Sequence, residues 1–363
     1  MLKKILIFIG ILFIAIIMLG ATGIYYSKPN ESVILDFIKN NPENIAIKLV
    51  RNDTIIAEIN SNKMMPLAST VKIILAIEYA EQSSKGLINP DQAISLDELE
   101  KFYIPNTDGG AHPIWLESVK DKIVDNKISI REIAKGMIIY SSNANTEWLS
   151  NKLGLENINN RLDSLGVSKH TDIYYLVSSL FVGKEKFPTI KGEELKEKLE
   201  GLGINEYIEA TEQIHSKLLT DTTYKNDIGY LGLDIQRIWS DNLPSSTVNE
   251  YVEIMRKINS RKYFSLETHK FLDEVMEFIL ENPANREWLE HSGMKGGSTP
   301  FVLTKALYAT DKKGNKTELA YFFNDLGILA NTMLQMSVNE FELKILTNEE
   351  FKNKIQLELK KDN

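Results

Sequence analysis

Residues 65–72 read Met-Pro-Leu-Ala-Ser-Thr-Val-Lys, and they join a predicted β-hairpin to a predicted helix. The hairpin comprises apolar runs at 45–50 and 54–59, separated by the turn residues Arg-Asn-Asp. Downstream, over 67–80, apolar residues recur at helical spacing. On such a helix Ser69 and Lys72 share one face, and Ser69 lies among the unpaired N–H groups of the helix N-terminus. The alternative is an N-cap serine followed by a solvated lysine.

Two further short motifs follow in order, Tyr140-Ser-Ser-Asn143 and Lys295-Gly-Gly-Ser298. The first falls at a predicted break between two helices over 128–153, and the second ends a predicted strand at 290–297. With Ser69-x-x-Lys72 they form the ordered set Ser-x-x-Lys, Ser-x-Asn, Lys-x-Gly. This set is typical of serine enzymes that attack amide bonds such as those of β-lactams and D-alanyl peptides.

The chemistry of the first motif requires a base beside the serine. A serine hydroxyl is a poor nucleophile until its proton is removed. Lys72 serves as that base only if its pKa falls well below the ordinary value of about 10.4. Burial and a nearby cation lower a lysine pKa, and Lys295 is the predicted cation.

The other predicted site residues serve the leaving group and the substrate. Ser141 would relay a proton to the leaving nitrogen, and Asn143 would offer an amide donor to Lys72 or to a substrate carbonyl. Gly297 would let a substrate backbone approach the strand. The N–H groups of Ser69 and Ser298 would form an oxyanion hole. Ordinary helix capping and a glycine-rich strand end are the alternatives for these motifs.

The order of predicted elements favours a two-lobed fold. Strands at 301–310 and 317–323 join those above into one five-stranded antiparallel sheet, flanked by helices. A helical lobe (about 66–285) is inserted within a domain spanning 33–345, and a helical tail follows at 346–363. The fold class is thus α/β plus all-α. A charge-rich pattern over 191–219, inside an insertion at about 169–244, predicts solvated helices.

Composition excludes several classes of function. The 363 residues carry a net charge of −8, which disfavours nucleic acid as a partner. There is no cysteine, so thiolate nucleophiles, disulfides and Cys-ligated zinc are excluded. No cofactor or metal is expected, because the histidines are scattered and form no His-Glu-x-x-His pair. These histidines are His112, His170, His215, His269 and His291.

The N-terminal region predicts a membrane segment. Lys3 and Lys4 precede an uncharged, mostly apolar run over residues 5–26, about the 20 residues that span a bilayer. The lysines favour an N-terminus inside the cell, which places the rest of the chain outside. We therefore expect a single-pass anchor, a linker at 27–32 and an extracellular domain. A cleaved signal peptide ending near Ala21-Thr-Gly23 is the alternative, which would give a secreted protein.

On these motifs, over roughly residues 30–330, the chain resembles the class A β-lactamase and penicillin-recognising serine hydrolase family. The resemblance implies an α/β domain beside an all-α domain. It also implies roles for four residues: Ser69 as the acylated nucleophile, Lys72 as base, Ser141 as proton relay and Lys295 as electrostatic partner.

The chain departs from the family pattern at three places. The segment 169–244 lacks the Glu-Pro-x-Leu-Asn pattern that carries the deacylating glutamate. Glu147 stands where the family has an asparagine that supports this loop, and Gly296 replaces a hydroxyl residue. Lys305 is expected to compensate by offering a cation. Candidate deacylating carboxylates include Asp172, Glu185, Asp227 and Asp241, although a solvated surface charge is the favoured explanation for each of them singly.

The sequence therefore predicts a membrane-anchored serine hydrolase that forms an acyl-enzyme on Ser69 with a β-lactam or a cell-wall D-alanyl peptide or ester. One alternative is a true β-lactamase with a rearranged deacylation loop. The other is a receptor that binds a penicillin or muropeptide without turnover. The substrate is small or derived from peptidoglycan in each case, and the sequence predicts no oligomeric state.

Overall fold

A computed structural model describes residues 30–359 and contains a central five-stranded sheet. Its strands are β1 (Ile45–Arg51), β2 (Thr54–Ile59), β3 (Leu289–Ser298), β4 (Leu303–Asp311) and β5 (Lys316–Phe323). The spatial order is β2-β1-β5-β4-β3, and every neighbouring pair is antiparallel. The predicted sheet is therefore confirmed, and β3, which carries the Lys-Gly-Gly motif, is an edge strand.

Helices account for most of the remaining chain. The α-helices are α1 (Glu31–Asn40), α2 (Lys72–Ser84), α3 (Leu96–Glu100), α4 (Ala111–Ser118), α5 (Ile130–Lys135), α6 (Asn143–Leu153), α7 (Leu155–Ser164), α8 (Val182–Lys186), α9 (Gly192–Glu200), α10 (Ile204–Thr220), α11 (Leu233–Asn242), α12 (Val248–Asn259), α13 (Leu266–Met276), α14 (Pro283–Arg286), α15 (Ile328–Thr347) and α16 (Glu349–Glu358). Short strands pair Met65–Pro66 with Ser245–Ser246 and Ala93–Ser95 with Lys127–Ser129.

The sheet separates two hydrophobic clusters because side chains alternate along each strand. On β5, Ala320 and Phe322 pack into the larger cluster with α12 and the helical lobe. Leu319, Tyr321 and Phe323 point to the opposite face. There they pack with side chains of α1, α15 and α16. The sheet thus supports the helical lobe on one face and the terminal helices on the other.

Helix α2 lies at the centre of the helical lobe. Its residues from Lys72 to Ala80 are all buried, and it packs against α6, α7 and α13. A helix that is buried on all sides holds a fixed position in the core. The turn that precedes α2, which carries Ser69, is consequently held at the junction between the helical lobe and the sheet.

Several predicted boundaries shift. Helix α1 begins at Glu31, inside the predicted linker 27–32, and α16 occupies much of the predicted tail with Phe351 and Ile355 buried. The expectation of solvated helices over 191–219 was wrong for one face of α10, because Ile214 and His215 are buried there. The predicted anchor at 1–26 lies outside the described residues. Within residues 30–359, no helix combines the length and the apolar character needed to cross a bilayer.

Candidate active site

Ser69 lies in a 3-10 turn, Ala68–Val71, immediately before α2. Ala68 has a positive φ of 44°, which an alanine adopts only at an energetic cost. The turn is tied to the sheet through Thr304 of β4. The Thr304 hydroxyl donates to the Leu67 carbonyl at 2.7 Å and lies 2.8 Å from the Thr70 hydroxyl. These buried contacts fix the backbone on both sides of Ser69.

Strand β3 meets the same turn at Gly297. A methyl group on Gly297 would collide with the backbone nitrogen of Ser69 and lie 2.8 Å from both the Leu67 oxygen and the Thr70 nitrogen. Only a residue without Cβ allows the strand to approach so closely. The structure therefore brings the first and third motifs, more than 200 residues apart in sequence, into direct backbone contact.

The second motif is positioned by a break between helices. After α5 the chain forms a π-helical turn, Gly136–Tyr140, and Ser141 then has a positive φ of 69°. Ser142 caps α6, because its side chain accepts a hydrogen bond from the Asn145 N–H. The predicted break is thus confirmed, and it orients both Ser141 and Asn143 toward Lys72.

Lys72 and Lys295 both contact Ser141. Lys72 Nζ donates to the Ser141 carbonyl at 2.8 Å, to Ser141 Oγ at 3.3 Å and to Asn143 Oδ1 at 2.9 Å. Lys295 Nζ donates to the same Oγ at 3.0 Å and to the Gly296 carbonyl at 2.8 Å. The Ser141 hydroxyl therefore bridges the side-chain nitrogens of the two lysines. Among the described residues, Lys72 Nζ makes no hydrogen bond to the Ser69 hydroxyl.

One of the two roles predicted for Asn143 was to donate a hydrogen bond to Lys72. In the structure the direction is reversed, because the Asn143 side-chain oxygen accepts a hydrogen bond from Lys72. Lys305 also departs from expectation. Rather than offering an unpaired cation, it lies 3.4 Å from Glu342 of α15 in an ion pair whose side chains are only 14% and 6% exposed. The partner of Lys305 lies on a helix distant in sequence, so no local sequence pattern predicts this ion pair.

Burial lowers the pKa values of both Lys72 and Lys295. Burial lowers the pKa of Lys72 well below 10.5, the positive charge of Lys295 lowers it further, and Asp108 opposes this effect. Burial and then the charge of Lys305 lower the pKa of Lys295 to about 7. A lysine that loses its proton near neutrality is able to act as a general base.

The turn carrying Ser69 opens into a cavity of about 940 Å³. Ser69, Ser141, Asn143, Gly297 and Ser298 all line it. The structure thus places the predicted nucleophile, relay and substrate-binding residues around one space, with Lys72 and Lys295 buried directly behind Ser141.

The four carboxylates that the sequence left open as deacylating bases do not line this cavity. Glu185, for example, is engaged by Lys217 and by the Tyr224 hydroxyl. Of the described residues, Asp108 contributes the single carboxylate in the cavity wall. Its two oxygens already accept the N–H groups of Gly110 and His112, at 3.2 and 3.0 Å, respectively. Sequence reasoning missed Asp108, which no motif marks.

Glu147 is fully buried and holds the insertion against α6. Its carboxylate accepts the N–H groups of Val177 at 2.8 Å and Ser178 at 3.2 Å, and the Ser178 hydroxyl at 2.5 Å. His215 Nδ1 of α10 lies 3.1 Å from the same carboxylate, and its ring stacks on Tyr175 at 3.6 Å. Glu147 therefore supports the segment after α7 with a carboxylate, at the position where the family resemblance implies a supporting asparagine.

His112 and His291 have structural partners. His112 Nδ1 lies 2.9 Å from Ser142 Oγ, so it supports the Ser-x-Asn turn, and His291 pairs with Glu277. In the described part of the chain, no cluster of three or more metal-ligating side chains occurs. What the arrangement offers chemically is a partly exposed serine, a buried low-pKa lysine and a hydroxyl between two lysines. That combination suits acyl transfer.

Comparison with known proteins agrees with this geometry. The structure resembles a β-lactamase from Chitinophaga pinensis DSM 2588 (TM-score 0.51, 16% identity, 86% of this chain and 99% of that one). It also resembles a β-lactamase from Burkholderia vietnamiensis (0.52, 11%, 88% and 97%). The TLA-3 extended-spectrum β-lactamase gives similar values (0.52, 14%, 85% and 99%). At such low sequence identities, these matches show that the fold is shared. A search of curated proteins finds no match.

A family model described as the beta-lactamase enzyme family matches residues 31–283, which is more than half of the chain. The match covers the first two motifs, and the structure adds the third on β3. The chain belongs to the beta-lactamase enzyme family.

Proposed function

We propose that this protein is a serine hydrolase that forms an acyl-enzyme on Ser69 with a β-lactam or with a cell-wall D-alanyl peptide or ester. The observation that carries the proposal is the convergence of three distant motifs. Lys72 and Lys295 share the Ser141 hydroxyl, while Gly297 contacts the backbone of Ser69.

The acylation step follows from these contacts. Neutral Lys72 takes the Ser69 proton as Oγ attacks the carbonyl carbon of the substrate. In this proposal the N–H groups of Ser69 and Ser298, two residues that line the cavity, stabilise the resulting oxyanion. The C–N or C–O bond then breaks, and Ser141 passes the proton from Lys72 to the leaving atom. The step requires Ser69 Oγ to come within hydrogen-bonding reach of Lys72, a contact that unliganded sites commonly lack.

Deacylation has less support in the structure. Hydrolysis of the ester needs a base that activates water. Asp108, already engaged by two N–H groups, is the single described carboxylate in the cavity. This observation favours slow turnover, as in a D,D-peptidase or a receptor that stays acylated, over a fast β-lactamase with a rearranged loop.

The location of the protein is proposed from sequence. The two lysines and the apolar run at residues 5–26 favour a single-pass membrane anchor with the active site outside the cell. Cell-wall precursors are present on that side of the membrane, which agrees with the proposed substrates.

Intact-protein mass spectrometry after mixing with a fluorescent penicillin tests the proposal. We expect a persistent adduct that peptide mapping places on Ser69 and that Ser69→Ala abolishes. Rapid turnover of a chromogenic cephalosporin would instead favour the β-lactamase alternative. A folded wild-type protein that forms no adduct and hydrolyses no β-lactam or D-alanyl ester would refute the proposal.

A further inference from the structure

The insertion contributes an apolar wall to the cavity of Ser69. Side chains from this single stretch of chain line the space, namely Leu176, Leu180, Ile228, Leu231, Leu233 and Trp239. Leu233 is 51% exposed, so a large apolar side chain faces the open cavity without a covering group. A wall of this kind gains free energy when an apolar ligand removes it from water.

Buried polar contacts hold this wall in place. Glu147 binds the backbone at Val177 and Ser178, between the two leucines that begin the wall. The Trp239 indole N–H donates to Ser179 Oγ at 2.7 Å, which joins α11 to the same segment. A wall fixed before ligand binding requires little ordering when the ligand arrives, and this favours affinity.

Beyond β3 the cavity wall is mixed. Helix α15 contributes the polar residues Asn331, Thr332 and Gln335 together with Ile328 and Val338, and β4 contributes Leu303 and Lys305. In both β-lactams and D-alanyl peptides the carboxylate belongs to the amine side of the scissile bond. We assign that side to the region of Ser298 on β3, since Lys305 is already paired with Glu342, and the acyl side to the apolar wall of the insertion.

We propose that the insertion selects substrates whose acyl part carries a large apolar group, bound along the Leu176–Leu180 and Ile228–Trp239 segments. This inference rests on the proposed acylation of Ser69. It assigns the insertion to substrate selection, and it distinguishes this chain from one that accepts any small acyl group.

A series of N-acylated 6-aminopenicillanic acids tests the inference, with acetyl, butanoyl, hexanoyl and octanoyl side chains on one β-lactam nucleus. The second-order rate constant for Ser69 acylation of the full chain is measured by intact-protein mass spectrometry. A fully buried methylene contributes about fourfold. Because burial against one wall is partial, we expect a rise of about 30-fold or more from acetyl to octanoyl.

Two wall variants and one control make the test specific. Trp239→Ala and Leu233→Ser should reduce the octanoyl-to-acetyl ratio to about threefold or less. Leu233 is half-exposed, so its serine variant should fold even if Trp239→Ala does not. Leu87→Ser, at a 70% exposed position that does not line the cavity, should keep the wild-type ratio.

The outcomes separate the two proposals. Acylation of Ser69 with equal rates across the series would overturn the apolar-group inference and leave the proposed function intact. An unchanged chain-length dependence in Leu233→Ser and in folded Trp239→Ala would also overturn it. If no member of the series acylates Ser69, this inference falls, and the proposed function falls with it only if no other β-lactam and no D-alanyl ester reacts.

Discussion

Gly297→Ala should separate catalysis from folding, because the added methyl group is directed at the backbone of the Ser69 turn. It would lie 2.8 Å from two backbone atoms, whereas ordinary contacts begin near 3.4 Å, so β3 must move by at least about 0.6 Å. Overpacking of this kind costs about 1–3 kcal/mol of stability. A displacement of about 1 Å at reacting groups lowers a rate by about 100-fold.

The assay is the rate of adduct formation with a fluorescent penicillin, recorded together with the melting temperature. Gly296→Ala is the matched control, because its methyl group would meet the flexible Lys305 side chain at 3.2 Å and the nearest backbone atom, the Thr304 oxygen, only at 3.4 Å, an ordinary contact distance. We expect Gly297→Ala to lose about 100-fold in acylation rate and Gly296→Ala to lose far less. The reasoning is refuted if Gly297→Ala acylates at the wild-type rate, or if both variants lose equally.

Three further predictions concern polar groups in and around the site. Ser141→Ala should lower the acylation rate by about 100-fold or more while the protein stays folded, as circular dichroism would show. Lys295→Met should abolish acylation and raise the melting temperature. Since the folded pKa of Lys295, about 7, lies below the unfolded value of 10.5, the folded state is penalised most below pH 7. The increase should therefore be larger at pH 6 than at pH 10, and equal increases would contradict it. Glu147→Gln should destabilise the fold by about 1–3 kcal/mol in urea unfolding. The exposed Glu209→Gln on α10 should change little, and equal stability of the two variants would argue against the anchoring role of Glu147.

The five-stranded sheet was predictable because its signals are local. Strands β1 and β2 are short β-rich runs separated by Asn52 and Asp53, both of which have positive φ in the turn. Such residues mark a tight hairpin independently of the rest of the fold. The predicted bounds at β4 and β5 agree within two residues with the structure.

The convergence of the site was also predictable, since the order of motifs requires two lobes to meet around Ser69. The individual contacts were not. Lys305 pairs with Glu342, and Glu147 contacts His215, across 37 and 68 positions of sequence. Periodicity reports which face of an element is buried, and it does not report which distant charged group will be found there.

The packing of the insertion was likewise not predictable from local sequence patterns. Its charges suggested a solvated excursion, yet the apolar side chains of α10 and α11 pack inward. An amphipathic helix with a charged outer face has a composition that resembles a surface segment. Only the packing of α10 on the segment after α7 reveals that the insertion belongs to the cavity.

The ion pair between Lys305 and Glu342 gives the C-terminal helix α15 an influence on acid–base chemistry at the far edge of the sheet. The ammonium of Lys305 helps to set the proton affinity of Lys295, and Glu342 compensates that ammonium. Removing α15 would leave the Lys305 ammonium without Glu342 and would strengthen the electrostatic repulsion between Lys305 and Lys295. Residues as far as Glu342, some 60 positions beyond the family match, therefore contribute to the electrostatics around Lys295.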